Sequence, residues 1–336
     1  MQILIPDDYQ RATASLACSA RLGTHTLVVL GDLGRAAPTE VAEVDAALAH
    51  ADALVPIRER TRVDRALLRR MPRLRVISQT GKVARHLDLD ACTAAGVAVV
   101  EGSGSPVAPA ELAWLLMMAA RRRLVPSVAA LHAGQWQGAD GTALGSAMHG
   151  AILGIFGYGR IGKRVAGYGR AFGMTVQVWG SERARAEARV DGLLAAPSRA
   201  DFFASADVLS LHLRLVDATT GMIDGADLER MKPGALFVNT SRAELVQSGA
   251  LEAALRRGRP GFAALDVFES EPVYDPGHPL LQMPQVLCSP HLGYVERASY
   301  EMYFGTAFDN LLRFDAGDHS QVINPAALQP DGRKPS

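Results

Sequence analysis

Three short stretches, far apart in the chain, carry side chains that complement one another chemically. Asn239-Thr240-Ser241-Arg242 offers a permanent cation, Glu271-Pro272 a carboxylate, and Ser289-Pro290-His291-Leu292-Gly293 an imidazole. A guanidinium presents a planar fork that fits a carboxylate and an adjacent carbonyl oxygen. Histidine titrates near neutrality, so it can give a proton to a developing alkoxide and take it back in the reverse direction. A glutamate bonded to that ring fixes its tautomer and tunes it as an acid. Upstream lies Gly157-Tyr158-Gly159-Arg160-Ile161-Gly162, a turn suited to a dinucleotide. A nicotinamide moves a hydride. Together these parts describe reversible conversion of a 2-hydroxy acid to a 2-keto acid. Taken singly, Arg242 reads as a surface ion pair, Glu271 as a turn carboxylate and His291 as a core or cap residue. Their shared position in loops after strands favours chemistry.

The glycine turn gains weight from its surroundings. An apolar run at 152–156 enters Gly157, and a helical pattern begins near Arg160. The first glycine permits a tight turn, the second lets a pyrophosphate approach, and the third lets helix and strand pack closely. Free amides at the helix start, among them those of Arg160 and Ile161, complete an anion site. Asp266 ends the 262–266 run and stands as an anchor for the nicotinamide carboxamide, with Thr240 beside it. Selectivity at the ribose stays open. The acidic residue usual about 20 positions on is Gly180 here. Glu182 can stand in for it, whereas Ser181, Arg183 and Arg185 suit a 2′-phosphate; the plain alternative is a solvated loop. The cofactor is therefore NAD(H) or NADP(H).

Elements of an alternating β/α pattern must position these residues. Strand-like runs fall at 3–5, 27–30, 53–55, 75–78 and 97–100, with helices at 39–49 and 63–70. A second series falls at 151–156, 175–179, 208–213, 236–239, 261–266 and 286–288, with helices at 160–172 and 249–257. Such alternation predicts two parallel sheets flanked by helices. The turn-rich segment 101–106 marks the first crossing between domains, before a helix at 109–124. The second crossing falls just past His291, and the chain returns for a last helix near 296–314. The expected domains are 1–102 with 293–336, and 103–292. The polar tail from 329 to 336 reads as disordered.

Composition narrows the class. The chain has 336 residues, 35 basic and 35 acidic, so no global charge draws it to nucleic acid or to an anionic membrane. Arg121-Arg122-Arg123 suits a solvated helix end. The three cysteines form no CxxC pair, which points to a reducing, cytoplasmic setting. Cys288 near His291 raises a nucleophile reading, but a small buried hydrophobe is the better account. No apolar stretch reaches the length of about 20 residues that spans a bilayer. His212 reads as a core residue inside a strand, and the spacing of the remaining histidines suggests no metal site.

These motifs closely resemble the D-isomer-specific 2-hydroxyacid dehydrogenases over nearly the whole chain. The resemblance implies a Rossmann-type dinucleotide domain inserted into a flavodoxin-like substrate domain, a cleft between them and a homodimer. It implies Arg242 as the substrate arginine and Glu271 with His291 as the acid–base pair. Two departures stand out. Ala243 replaces the glycine usual after the arginine. The loop Thr80-Gly81-Lys82-Val83 has Val83 where a second glycine is usual. Gly81, Lys82 and Val83 are expected to hold the substrate carboxylate, Lys82 adding charge. Neighbouring readings are a formate dehydrogenase, disfavoured by Glu271 where glutamine is typical, and a short D-3-phosphoglycerate dehydrogenase. A third is a dinucleotide-sensing, corepressor-like binding protein.

Overall fold

A computed structural model describes residues 1–138 and 144–329 of the chain. The tail read as disordered lies, beyond Gln329, outside the described residues. The chain forms two compact units, Met1–Ser105 with Glu296–Ser336, and Pro106–Val295. The crossings thus fall at Ser105 and Val295 rather than after 102 and 292.

The first unit is a five-stranded parallel sheet. Its strands are β1 (Gln2–Ile5), β2 (Thr26–Val29), β3 (Ala53–Leu54), β4 (Val76–Gln79) and β5 (Ala98–Glu101), in the order β2-β1-β3-β4-β5. This is the flavodoxin-like winding. Helices α1 (Val41–His50), α2 (Arg65–Arg69) and α3 (Leu89–Ala94) connect the strands. Asp64 and Asp88 cap α2 and α3 by accepting from their first-turn amides. Leu4, Leu54, Ile77 and Val99 meet in one core, each contributing about 1.5–3 kcal/mol by burial. The returning helix Arg297–Asp315 closes this unit: the Ser78 hydroxyl donates to the Ala307 carbonyl at 2.9 Å. Asn324 then clips β5, accepting from the Val99 amide and donating to the Val97 carbonyl.

The second unit opens with α4 (Val107–Arg121) and α5 (Leu124–His132). It continues as β6 (Ile152–Phe156), α6 (Arg160–Ala171), β7 (Thr175–Trp179), α7 (Glu182–Val190), β8 (Leu194–Ala195), α8 (Arg199–Ser205) and β9 (Val208–Leu211). Then follow α9 (Gly225–Arg230), β10 (Leu236–Asn239), α10 (Ala250–Arg256), β11 (Phe262–Leu265) and β12 (Val286–Cys288). All seven strands are parallel, in the order β12-β11-β10-β9-β6-β7-β8. The direction of winding reverses between β6 and β9, which is where such sheets bind ligands. Strands β9 and β10 are buried along their whole length, as a sheet covered on both faces requires. One face packs on α4 and α6 through Met117, Val165 and Leu153; the other packs on Phe202, Phe203 and Leu228. The segment 182–190, which allowed a solvated-loop reading, is helix α7, capped by Ser181. His212 lies just past β9 rather than inside it.

Candidate active site

Two of the three glycines in the turn are demanded by the fold itself. Gly157 has φ +96°, and a Cβ there would lie 2.5 Å from the His212 carbonyl oxygen. A Cβ at Gly162 would lie 2.2 Å from the Gly157 carbonyl oxygen. Around Gly159 nothing lies within 4 Å. The space above this middle residue is open while the first-turn amides of α6, at Arg160 and Ile161, lack carbonyl partners within the helix. That cradle fits a pyrophosphate. A cavity of about 480 Å³ runs from the turn along Gly180, Ser181 and Arg183 to His212 and Arg214. The residues present therefore fit a dinucleotide. Burial pushes the His212 pKa down to about 4, so its ring is neutral at pH 7 and adds no charge to the cavity.

The three candidate catalytic residues stand after three adjacent strands. Arg242 follows β10, Glu271 follows β11 and His291 follows β12. Asn239 folds the Arg242 turn: its side chain accepts from the Ser241 amide at 3.0 Å and donates to the Arg242 carbonyl at 2.8 Å. Thr240 lies within that turn. Glu271 Oε2 meets His291 Nδ1 at 2.6 Å, while Oε1 accepts from the Phe268 amide at 2.8 Å. An ionised carboxylate only accepts, so Nδ1 carries the proton and Nε2 is left for chemistry. Tyr294, buried, packs its ring edge-on against His291 with centroids 5.4 Å apart. That contact had no signal in the sequence beyond an aromatic near the motif.

His291 holds φ +51°, a left-handed conformation uncommon for a side-chain-bearing residue. Asp266 stabilises it. This fully buried carboxylate accepts from the Ser289 hydroxyl at 2.6 Å, the Leu292 amide at 2.8 Å and the Gly293 amide at 2.9 Å. Desolvation raises its pKa, with these donors opposing the shift. Asp266, expected as a carboxamide anchor, is thus observed as the anchor of the histidine turn.

Four further candidate positions are engaged within the protein itself. Glu182, the stand-in for the missing ribose acid, turns toward its own helix, pairing with Arg185 at 2.6 Å and Arg189 at 3.6 Å. In the first unit, Lys82 Nζ lies 2.6 Å from Glu101 Oε2, and the Val83 amide donates to Glu101 Oε1 at 2.9 Å. The donors expected to hold a substrate carboxylate hold an internal one. Gly81 is instead covered by Arg58, whose Nη1 would lie 1.8 Å from a Cβ there. Only that glycine hinted at the close approach. Burial also pushes the Cys288 thiol up to about 11, which leaves it protonated and a poor nucleophile. Among the described residues no group of three His, Cys, Asp or Glu could hold a metal, and no helix is long and apolar enough to cross a membrane.

Comparison with known proteins agrees with this geometry. The NAD-binding domain of the D-isomer specific 2-hydroxyacid dehydrogenases matches residues 114–293. A glyoxylate reductase of Aeropyrum pernix is 37% identical over 264 residues, 76% of this chain and 78% of that protein. A crystal structure from Ralstonia solanacearum, described as a candidate D-3-phosphoglycerate dehydrogenase oxidoreductase, is 52% identical with TM-score 0.93 and covers 98% of each chain. A phosphoglycerate oxidoreductase from Vibrio cholerae is 50% identical with TM-score 0.89, over 94% of this chain and 99% of that one. A glycine cradle for the dinucleotide, the Glu271–His291 pair and these relatives place the chain in the D-isomer-specific 2-hydroxyacid dehydrogenase family of NAD-binding oxidoreductases.

Proposed function

We propose that the enzyme reduces a 2-keto acid, and oxidises the matching 2-hydroxy acid, with His291 as proton donor and acceptor. Glu271 orients His291, and Arg242 binds the substrate. The carrying observation is the 2.6 Å contact between His291 Nδ1 and Glu271, whose other oxygen is fixed by a backbone amide. That arrangement commits Nδ1 to the carboxylate and leaves Nε2 as the exchanging nitrogen. When bound, the dihydronicotinamide supplies the hydride to the carbonyl carbon. In the reductive direction the Nε2–H of a cationic His291 passes its proton to the carbonyl oxygen, and the ring is left neutral. Solvent then restores the proton. In reverse, neutral Nε2 takes the hydroxyl proton. Arg242 pairs with the carboxylate and the carbonyl oxygen, so it favours the developing alkoxide as well as the bound acid.

A small substrate of the glyoxylate or hydroxypyruvate kind follows the Aeropyrum relative. A second reading is 3-phosphohydroxypyruvate, the oxidised partner of D-3-phosphoglycerate. It is favoured by the descriptions of the two structures at 52% and 50% identity. Following nicotinamide absorbance with glyoxylate, hydroxypyruvate, phenylpyruvate and 3-phosphohydroxypyruvate tests both. Oxidation of the reduced cofactor by at least one keto acid is expected. Silence across a broad panel overturns the proposal.

We also infer a homodimer. Leu115, Leu124, Val128 and Leu131 expose apolar surface on α4 and α5, where a second copy would cover them. The free cysteines and the even charge balance suit a cytoplasmic setting.

A further inference from the structure

The turn that carries Arg242 and the turn that carries His291 hang from one buried polar seam. Strand β10 lies between β9 and β11 and ends at Asn239, while β11 ends one residue before Asp266. The Asp266 amide donates to the Asn239 carbonyl at 3.0 Å. On its side of the seam, Asp266 gathers the Ser289, Leu292 and Gly293 donors around His291. On the other side, Asn239 holds the turn of Arg242.

Asn239 is 2% exposed, too deep for solvent to satisfy its amide. The side-chain oxygen accepts from the Ser241 amide at 3.0 Å, and the nitrogen donates to the Arg242 carbonyl at 2.8 Å. Turning the amide over would set donor against donor and acceptor against acceptor, so its partners fix its orientation. Aspartate has no donor for the Arg242 carbonyl, and serine is one atom too short to span both groups. Ser241 adds a third tie, its hydroxyl donating to the Leu211 carbonyl of β9 at 2.7 Å. The backbone beneath Arg242 is thus bound to β9 through Ser241 and to β11 through the Asn239 carbonyl. A guanidinium that meets a developing alkoxide needs such support, because a misplacement of about 1 Å can cost about 10²-fold in rate.

We propose that Asn239 is a positioning residue for the reaction, setting where the Arg242 guanidinium stands in register with the His291 turn. The inference rests on the reading of Arg242 as the substrate cation. The effect of Asn239 on rate runs through Arg242, since the Glu271–His291 contact is made without it.

A double-mutant cycle in the full-length enzyme, read by steady-state kinetics with the best keto acid, tests this. Asn239→Ser should lower kcat/KM by about 10- to 100-fold, while the shape of the pH–rate profile stays that of the parent. In an Arg242→Ala background the same substitution should cost less than about twofold, because its target is gone. A merely structural fault would lower the active fraction equally in both backgrounds. Ser241→Ala keeps both Asn239 bonds and removes only the tie to β9. It should lose about three- to tenfold, again only where Arg242 is present, and it decides the matter if Asn239→Ser folds poorly. Losses that add fully to that of Arg242→Ala overturn the inference, as do parental kinetics in both variants. Normal kinetics in Arg242→Ala itself would remove the reading of Arg242 and this inference with it. A damaged Arg242→Ala beside an undamaged Asn239→Ser sinks this inference alone.

Discussion

The glycine turn of the second unit and the 81–83 loop of the first unit look alike in the sequence. Each follows a parallel strand, and each sets glycine beside cationic residues. They are built in opposite ways. Above Gly159 the space is open and the helix amides have no internal partner. At Lys82 and Val83 both donors are occupied by Glu101, nineteen and eighteen residues downstream. A motif thus reports which donors a loop owns. Whether those donors are already used depends on a residue the motif does not contain. The same contrast recurs at the catalytic edge, where Glu271 and Asp266 have polar partners on every oxygen yet leave His291 Nε2 uncommitted.

The contrast predicts unequal effects. Arg242→Ala should lower kcat/KM by about 10²–10³, the cost of removing one preorganised donor from a developing oxyanion. Steady-state kinetics with the best keto acid would check it, and normal kinetics would remove Arg242 from the site. The two turn glycines should then separate folding from binding. Gly157→Ala forces a side chain into a φ of +96° and against the His212 carbonyl, so thermal denaturation should show a loss of about 2 kcal/mol or more. Gly159→Ala should keep its melting temperature but bind dinucleotide about tenfold more weakly, or roughly 1.4 kcal/mol. Equal losses of stability in the two variants would show that the middle glycine is structural after all.

Acid should act on the second unit through His212. Its imidazole titrates near 6.5 when unfolded and about 4 when folded. The unfolded chain therefore takes up the proton first as pH falls. The stability contributed by the neutral ring is complete above pH 6.5 and is lost between there and pH 4. A loss of roughly 1–2 kcal/mol is expected, discounted because the ring is partly open to the cavity. Asp266 works in the opposite sense, since burial raises its carboxyl. Comparing melting temperatures of the parent and His212→Gln at pH 7 and pH 5 isolates the histidine: the variant should lose less. The smallest effect is reserved for Lys82. Its removal frees Glu101 but takes away no observed substrate donor, so Lys82→Ala should leave KM within about twofold, as surface substitutions do. A large rise in KM would mean that Glu101 gives way to substrate.

Much of this architecture was legible because parallel sheets buried on both faces announce themselves as apolar runs. The runs at 175–179, 236–239 and 286–288 coincide with β7, β10 and β12. Strand β8, two residues long at the edge of its sheet with Leu194 exposed, went unmarked, whereas the equally short β3 lies in the sheet interior and is fully buried. Helix α7 was obscured by its charge: Glu182 to Arg189 reads as solvated, and only the cap at Ser181 and the pairs along the helix show it as ordered. In the site, residue types at strand ends singled out Arg242, Glu271 and His291 as candidates, and they stand in loops after three adjacent strands. The partners were harder. Asp266 carries the histidine turn through contacts spanning 23 to 27 residues of sequence, and Glu101 holds Lys82 across 19. Nothing local in the sequence encodes either distance.

The measurement that bears most directly on the account is single-turnover hydride transfer by His291→Ala at saturating cofactor, alongside calorimetric binding of that cofactor. The account predicts a rate lower by about 10²–10⁴, with cofactor affinity unchanged within twofold. A rate within tenfold of the parent would contradict the assignment of His291 as the proton donor.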